Sequence, residues 1–505
     1  MSSTFAWSTP FTLSPTTVDS SDPRVVIDPN GNIVSIWLEN SFVKSSTKLV
    51  NSNWSSPVTL SNSSSSSPII VIDSNGNATT VWVENGIIKA SSKVLTGTWT
   101  SPITLSTSGA SAPALTVDVV GNLIAVWSRN GNIESSTRFF GSPWQNKVVI
   151  SGNNTIPNVY PRVAFGGSGL NTQSIIIWHS TSTNLVYTSN KLIAGTWSSP
   201  QAISDSTRTS AYANIAIDSN LNAIAIWYAY TPVGNNYLNV VVQSTYRSNT
   251  NGLWSSINNL SSPGIYNPAN LSVNIKFDGN GNAIATWNTS FDGSTFTVQS
   301  AVKPVKDQWL PATDIVNSLY SLKVESDISL LGQVLSTFMF YNGTSLSVLA
   351  SEANLSGYNT LNWSVPLNVS TGTNNGFSRI AVAQVGNVLN AVIIWSHYNG
   401  SHNIIRISTG IKTLVIPPSN LSITQNSNNF GIFTEYYNKL QWTVSTDPNL
   451  TGYAIFRNGI FINLLSPVTT QYTDNNQQQN GPAIYGIAAI NNQQSQSVIT
   501  KISFP

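Results

Sequence analysis

Cysteine is absent from all 505 residues, which excludes disulfides, thiol nucleophiles and Cys-ligated metal sites. The compartment stays open, because reducing and oxidising locations both tolerate a chain without thiols. Charge is scarce as well: Asp, Glu, Lys and Arg make up 8% of the chain, against about 25% in ordinary soluble proteins. With 22 basic and 20 acidic residues the net charge is +2, so neither a nucleic-acid backbone nor an anionic membrane has an electrostatic landing site. No run approaches the roughly 18 apolar residues of a membrane-spanning helix, and no basic segment with an apolar core marks a leader. Solubility must come from Asn, Ser, Thr and Gln. Such a composition is associated with proteins that meet the outside world, extracellular, on a cell surface or on a virion.

Two marks recur in strict alternation. The first is a Trp, small residues and an apolar run ending in Ser: WSTPFTLS at Trp7, WSSPVTLS at Trp54 and WTSPITLS at Trp99, with further copies at Trp144, Trp197, Trp254, Trp309 and Trp363. The second is typified by PIIVIDSNGNATTVW, Pro68 to Trp82, whose closing aromatic recurs at Trp37, Trp82, Trp127, Trp178, Trp227, Trp287, Phe338 and Trp395. Together they take up fifteen of the sixteen tryptophans. A repeat with a period of roughly 45 to 57 residues follows.

Each unit reads as four strands. The runs before and after the Asp-Asn-Gly turn are apolar throughout, as in Ile69 to Ile72 and Leu123 to Trp127, which suits strands covered on both faces. A third run, FVKSSTKL from Phe42 or IIKASSKV from Ile87, alternates, and the Trp-Ser-Ser-Pro run carries a Pro that belongs at a sheet edge. Buried inner strands and a wet outer strand are what a propeller blade requires. The chain begins on a Trp-Ser strand and ends its repeats on a third strand near Ile404 to Ser408. The simplest closure pairs the two, giving an all-β, eight-bladed β-propeller over residues 1–412. Seven blades is the alternative, because the unit from Leu322 to Phe338 lacks the turn and has Phe for Trp.

After Lys412 the pattern stops. TLVIPPSNLSITQ, the Trp442 strand, GYAIFRNGIFI at Tyr453 and AIYGIAAINNQQSQS at Tyr485 resemble a fibronectin type III domain, which implies an immunoglobulin-like sandwich over residues 413–505.

The turns DPNGN at Asp28, DSNGN at Asp73 and DGNGN at Asp278 place oxygens at alternate positions but lack the later carboxylate of a calcium loop. A hairpin fixed by Asp and a positive-φ Gly is the better reading, and no metal or cofactor site is expected. The Asp, Gly and aromatic resemble the Asp-box of sialidase-like propellers, though Asp28, Gly31 and Trp37 are spaced more widely. That class clamps a substrate carboxylate with three arginines. Arg24, Arg162 and Arg379 hold equivalent positions just before the innermost strand of units one, four and eight, where they could approach one rim of a central channel. No Tyr-Glu nucleophile pair is evident beside them, so no catalytic residue is assigned.

Glu39, Glu84 and Glu134, beyond the closing Trp, read as solvated loop tips, and His179, His397 and His402 as surface histidines. The recurring tryptophans read as filling between blades. Sugar contacts are expected instead where the copies differ, around Tyr228 to Tyr237 and Tyr398 to His402. The expectation is a non-enzymatic recognition or adhesion protein whose loops bind a glycan or surface protein, through Arg24, Arg162, Arg379, Tyr228, Tyr237, Tyr398 and His402. A self-assembling structural subunit of a virion, surface layer or filament and a sialidase-like glycosidase are the alternatives.

Overall fold

The computed structural model describes residues 5–152, 158–167, 171–233, 236–266, 271–292, 295–305, 307–318, 321–355, 361–458, 460–492, 496–497 and 499–504. The chain is all-β, with no α-helix among the described residues.

Eight antiparallel sheets precede residue 414, six of them four-stranded and two, the fifth and the eighth, five-stranded. Their first strands are Ser20–Ile27, Ser65–Ile72, Ala110–Val117, Asn158–Gly166, Thr209–Ile217, Val273–Phe277, Ser321–Ile328 and Asn375–Val385. Each first strand contacts the next, and that of sheet eight contacts that of sheet one. Sheet eight takes its outer strand from the N-terminus: Ala6–Trp7 and Phe11–Thr12 pair with Asn403–Thr413. The degenerate unit around Phe338 forms a sheet like the others, with Phe338 fully buried where other copies have Trp.

The fourth strand is shorter than its sequence suggests. In sheet one it is a bridge from Trp54 to Lys48 and then only Val58–Thr59. Pro57 between them has no N–H to donate.

Each closing Trp packs between sheets, and Trp37, Trp82, Trp127, Trp178, Trp227, Trp287 and Trp395 are all buried. A buried indole needs an acceptor for its N–H. Glu84 accepts from Trp82 and Glu134 from Trp127; Gln243, Gln299 and Asn375 serve Trp227, Trp287 and Trp395. Glu84 and Glu134 are therefore buried acceptors and not solvated loop tips. Glu39 is likewise not a free tip; it reaches Lys44 at 3.4 Å.

The turns match their sequence reading. Asp28 Oδ1 accepts the backbone N–H of Asn30 and Asn32, its Oδ2 accepts Asn32 Nδ2, and Gly31 takes φ +89°. The same hydrogen bonds recur at Asp73, Asp218 and Asp278, with Leu221 at φ +67° in the Asp218 turn where the others have Gly.

Beyond residue 414 a three-stranded sheet (Ser419–Asn429, Thr434–Thr443, Gln471–Gln477) and a four-stranded sheet (Ile460–Leu465, Leu450–Arg457, Ala483–Asn491, Thr500–Phe504) share a core of Leu440, Trp442, Tyr453, Ile455, Tyr485 and Ile487.

Candidate functional site

In seven of the eight sheets the first strand carries a bulge near its start. In sheet one the register shifts between Ser21 and Arg24, in sheet two between Ser66 and Ile69, in sheet four between Val159 and Arg162. An extra residue in one strand bends it and re-aims the side chains beside it. In six sheets a non-glycine residue there has positive φ: Asp22 (45°), Ser67 (51°), Ala112 (48°), Tyr160 (53°), Tyr212 (56°) and Lys323 (39°). In the first four sheets a proline follows, Pro23, Pro68, Pro113 and Pro161.

Two residues beyond the bulge, the sheet-pairing registers align Arg24, Ile69, Ala114, Arg162, Asn214, Asn274, Glu325 and Arg379. Side chains alternate across a strand. Val25 and Ile27 go into the core between sheets, while Arg24 and Val26 stay partly accessible on the other side. A further two residues on stand Lys276 and Asp327.

This alignment gathers charge in a chain where only 8% of residues carry any. Arg379 pairs with Glu325 at 2.9 Å, Lys276 with Asp327 at 3.2 Å, and Arg24 with Asp22 at 3.1 Å. Arg24 is pushed down to about 10 by burial and then by the like charge of Arg379, with Arg162 adding to the effect. Arg162 has an accessible side chain, yet enough protein surrounds it that burial also pushes its guanidinium down; Glu325 opposes this and Arg379 adds to it. Lys323 is lowered by burial and by Arg379. Lys276 is raised, chiefly by Asp327. Sheets one, four, six, seven and eight thus place five cations and three carboxylates within electrostatic reach between the first strands. Arg24 Nε and Arg379 Nε are buried there without a hydrogen-bond partner among the described residues. Unpaired guanidinium N–H groups beside an excess of positive charge are suited to a planar, bidentate anion such as a carboxylate.

The three arginines expected from the sequence are therefore brought together. Lys276, Lys323, Glu325 and Asp327 escaped the sequence reading, because units six and seven lack the proline that marks the register in units one to four. Tyr228 is not a surface residue: it is 1% exposed, and its hydroxyl donates to Ser272 O or Asn288 O, 2.9 and 2.7 Å away. Tyr237 stacks on Tyr230 with ring centroids 3.8 Å apart; residues 234 and 235 of the same loop lie outside the described residues. Tyr398 is exposed with its hydroxyl on Gly400 O, and His402 lies 3.8 Å from Asp19. Both are on the hairpin of sheet eight. The expectation of surface histidines fails twice. His179 is pushed down to about 4 by burial, and His397 is buried against Asn375 Oδ1.

No described protein family matches the chain, and no curated protein resembles it in sequence. Solved structures with a similar path include a polysaccharide lyase of family PL25, an ulvan lyase (9% identity, 78% of this chain and 94% of that one, TM-score 0.47), and the Dos1 propeller (11% identity, 80% and 95%, TM-score 0.46). The SapL1 lectin, solved with α-methyl fucoside, is a weaker likeness (10% identity, 57% and 94%, TM-score 0.33).

Proposed function

We propose that residues 1–412 form an eight-bladed propeller closed by the N-terminal strand and that residues 413–505 form a fibronectin type III-like module. The chain is then a non-enzymatic, extracellular recognition protein that binds an acidic glycan at one mouth of the propeller channel. The observation that carries the reading is the convergence of Arg24, Arg162 and Arg379, with two Nε atoms unpartnered among the described residues, in a chain only 8% charged. The Asp turn at the other end of the first strand recurs in sheets one, two, three, five and six, whereas the bulge residues differ from sheet to sheet. Variation on a constant scaffold is how repeat folds carry specificity. Glycosidase chemistry finds less support: Glu325 and Asp327, the carboxylates of the aligned tiers, are both engaged, by Arg379 and by Lys276 together with Val382 N.

A glycan array probed with the full chain tests this, followed by titration of the strongest hit into a doubly substituted Arg162→Gln, Arg379→Gln protein. Capture of carboxylate- or sulfate-bearing glycans that weakens at least tenfold in the variant is expected. Binding confined to neutral glycans, or turnover of a glycan that survives both substitutions, removes the proposal.

A further inference from the structure

Sheets four and five hold a second feature beside the arginines. Tyr160 and Tyr212 occupy the strained bulge position, at φ +53° and +56°, with 61% and 41% of their surface exposed. A bulky residue is a poor occupant of left-handed backbone, which Gly or Asn adopts far more readily. The fold does not require an aromatic there, since Ser67 and Ala112 fill the same place in sheets two and three. Strain held at an exposed aromatic, where a smaller residue serves elsewhere, directs attention to what the side chain does.

The surroundings are aromatic and polar together. Tyr212 stands edge-on to Tyr228, centroids 6.5 Å apart at 87°. The first strands of sheets four and five, which carry the two rings, are in contact, and the Tyr212 hydroxyl is raised by burial and by the hydroxyls of Tyr237 and Tyr160. Tyr230 and Tyr237 stack at 13° on an extended hairpin, Ala223–Val233 and Asn236–Arg247, longer than Ile33–Glu39 and Phe42–Lys48 in sheet one. Tyr230 also lines a pocket of about 160 Å³ with Thr183, Asn184, Thr207, Arg208 and Pro232. Arg162 is two residues beyond Tyr160 on the same strand, separated by Pro161.

We infer that Tyr160 and Tyr212 form a stacking platform for a neutral pyranose next to the arginine set, so that the site reads an acidic sugar joined to a neutral one. The flat, C–H-bearing face of a pyranose covers a phenol ring, and its equatorial hydroxyls meet the tyrosine hydroxyls at the rim. Rigid aromatics with few polar partners are what small-molecule sites use for shape and orientation. The acidic half of this inference rests on the reading above; the neutral half stands on the tyrosines alone.

Saturation-transfer NMR on the full chain separates the two, with methyl glycosides of glucose, galactose, mannose, fucose and N-acetylglucosamine as neutral probes and methyl glucuronide and galacturonide as acidic ones. Transfer to the ring protons of at least one neutral glycoside is expected, and its loss in a Tyr160→Gly, Tyr212→Gly protein. Glycine accepts the positive φ at both places, so the variant relaxes the backbone while removing the platform. Tyr160→Phe and Tyr212→Phe retain transfer, because the ring is kept. No transfer from any neutral glycoside overturns the inference, and so does transfer undiminished in the glycine variant. Transfer from a uronide alone leaves the arginine reading standing and sinks this one; no transfer from either set sinks both.

Discussion

Glu325 and Arg379, on the first strands of neighbouring sheets, pair at 2.9 Å beside an Arg379 Nε that has no partner among the described residues. The carboxylate occupies part of a guanidinium that would otherwise be available to an incoming anion. Glu325→Gln keeps the shape and removes the competing charge, so affinity for the strongest acidic glycan on the array should rise, by a few-fold. Arg379→Gln should lower it by ten- to a hundredfold, about 1.4 to 3 kcal/mol. Calorimetric titration of both variants checks the opposition of sign; affinities that move together would show that the pair positions the strands and does not meet the ligand.

Glu134 is fully buried and accepts from Trp127 Nε1, Arg129 Nε and Lys147 Nζ at 2.7 to 2.9 Å. Glu134→Ala leaves the buried Trp127 N–H unpaired and strips the half-buried Arg129 and Lys147 of their partner, at a cost of about 2–3 kcal/mol. Glu134→Gln should cost less, since Gln243 already serves Trp227 in sheet five. Burial alone would push the Glu134 carboxyl up, but the bonds from Lys147, Arg129 and Trp127 together bring it below its usual value of 4.5. The unfolded chain therefore takes up this proton before the native one does. The contribution is present above about pH 4.5 and lost as the solution is acidified below it, and the Gln variant should show a flatter acid limb in denaturant unfolding.

The strained bulges reverse a familiar rule. Ala to Gly in a strand normally destabilises by about 0.5–1 kcal/mol. At Ala112 (φ +48°) and Ser67 (φ +51°) a side chain in left-handed backbone costs about 1–2 kcal/mol, so Ala112→Gly and Ser67→Gly should each be neutral to stabilising. They lie in different sheets, and the gains should add. A melting temperature that falls in both would show that the surrounding sheet compensates the strain.

Gly121 and Gly141 share positive φ, +99° and +72°, but differ in what stands nearby. A Cβ on Gly121 would come 2.7 Å from Phe140 Cδ2 and 2.9 Å from Asp73 Oδ2 on the preceding sheet, whereas one on Gly141 meets nothing within 4 Å. Gly141→Ala should cost only the conformational term, about 1 kcal/mol, and Gly121→Ala clearly more. Equal midpoints in urea would mean that the turn of sheet three can shift away from Asp73.

The sheets were legible because their punctuation is enforced twice over. Asp28 and its copies tie their own turns, and the turn glycine of the next sheet comes against the preceding Asp, as Gly76 does against Asp28 Oδ2. The arginines were legible through register, since Arg24 and Arg162 follow the Pro that ends each bulge. Partnered charge was not. Glu84 and Glu134 sit close to a Trp in sequence, and only the fold shows that the indole N–H takes the carboxylate. Tyr228 reads like Tyr237, but strand alternation sends it inward to Asn288. The tyrosine bulges were invisible for another reason: positive φ at Tyr160 and Tyr212 contradicts residue preference.

Lys191 belongs to a row of cations ending the third strands, Lys48, Lys93, Arg138, Lys191, Arg247, Lys303 and Lys412. Several of them reach back to the preceding sheet, as Lys93 does to Thr47 and Lys191 to Thr137 Oγ1 at 2.9 Å. Lys191 lies 5.3 Å from the centre of the Trp197 ring, and burial pushes it down from 10.5 to about 8. The native protein sheds this proton near pH 8, while the unfolded chain holds it to about 10.5. Unfolding between these values takes up a proton, so native stability rises with pH across that window and the penalty of a buried charge is fully present below it. Lys191→Met keeps the length of the side chain and removes the charge, at the loss of the Thr137 bond. Its stability relative to wild type should be most favourable near pH 7 and should fall away toward pH 10. Guanidinium unfolding of both proteins at pH 7 and 10 measures the difference; a gap that does not change with pH would show that Lys191 titrates normally and that its place beneath Trp197 is wet.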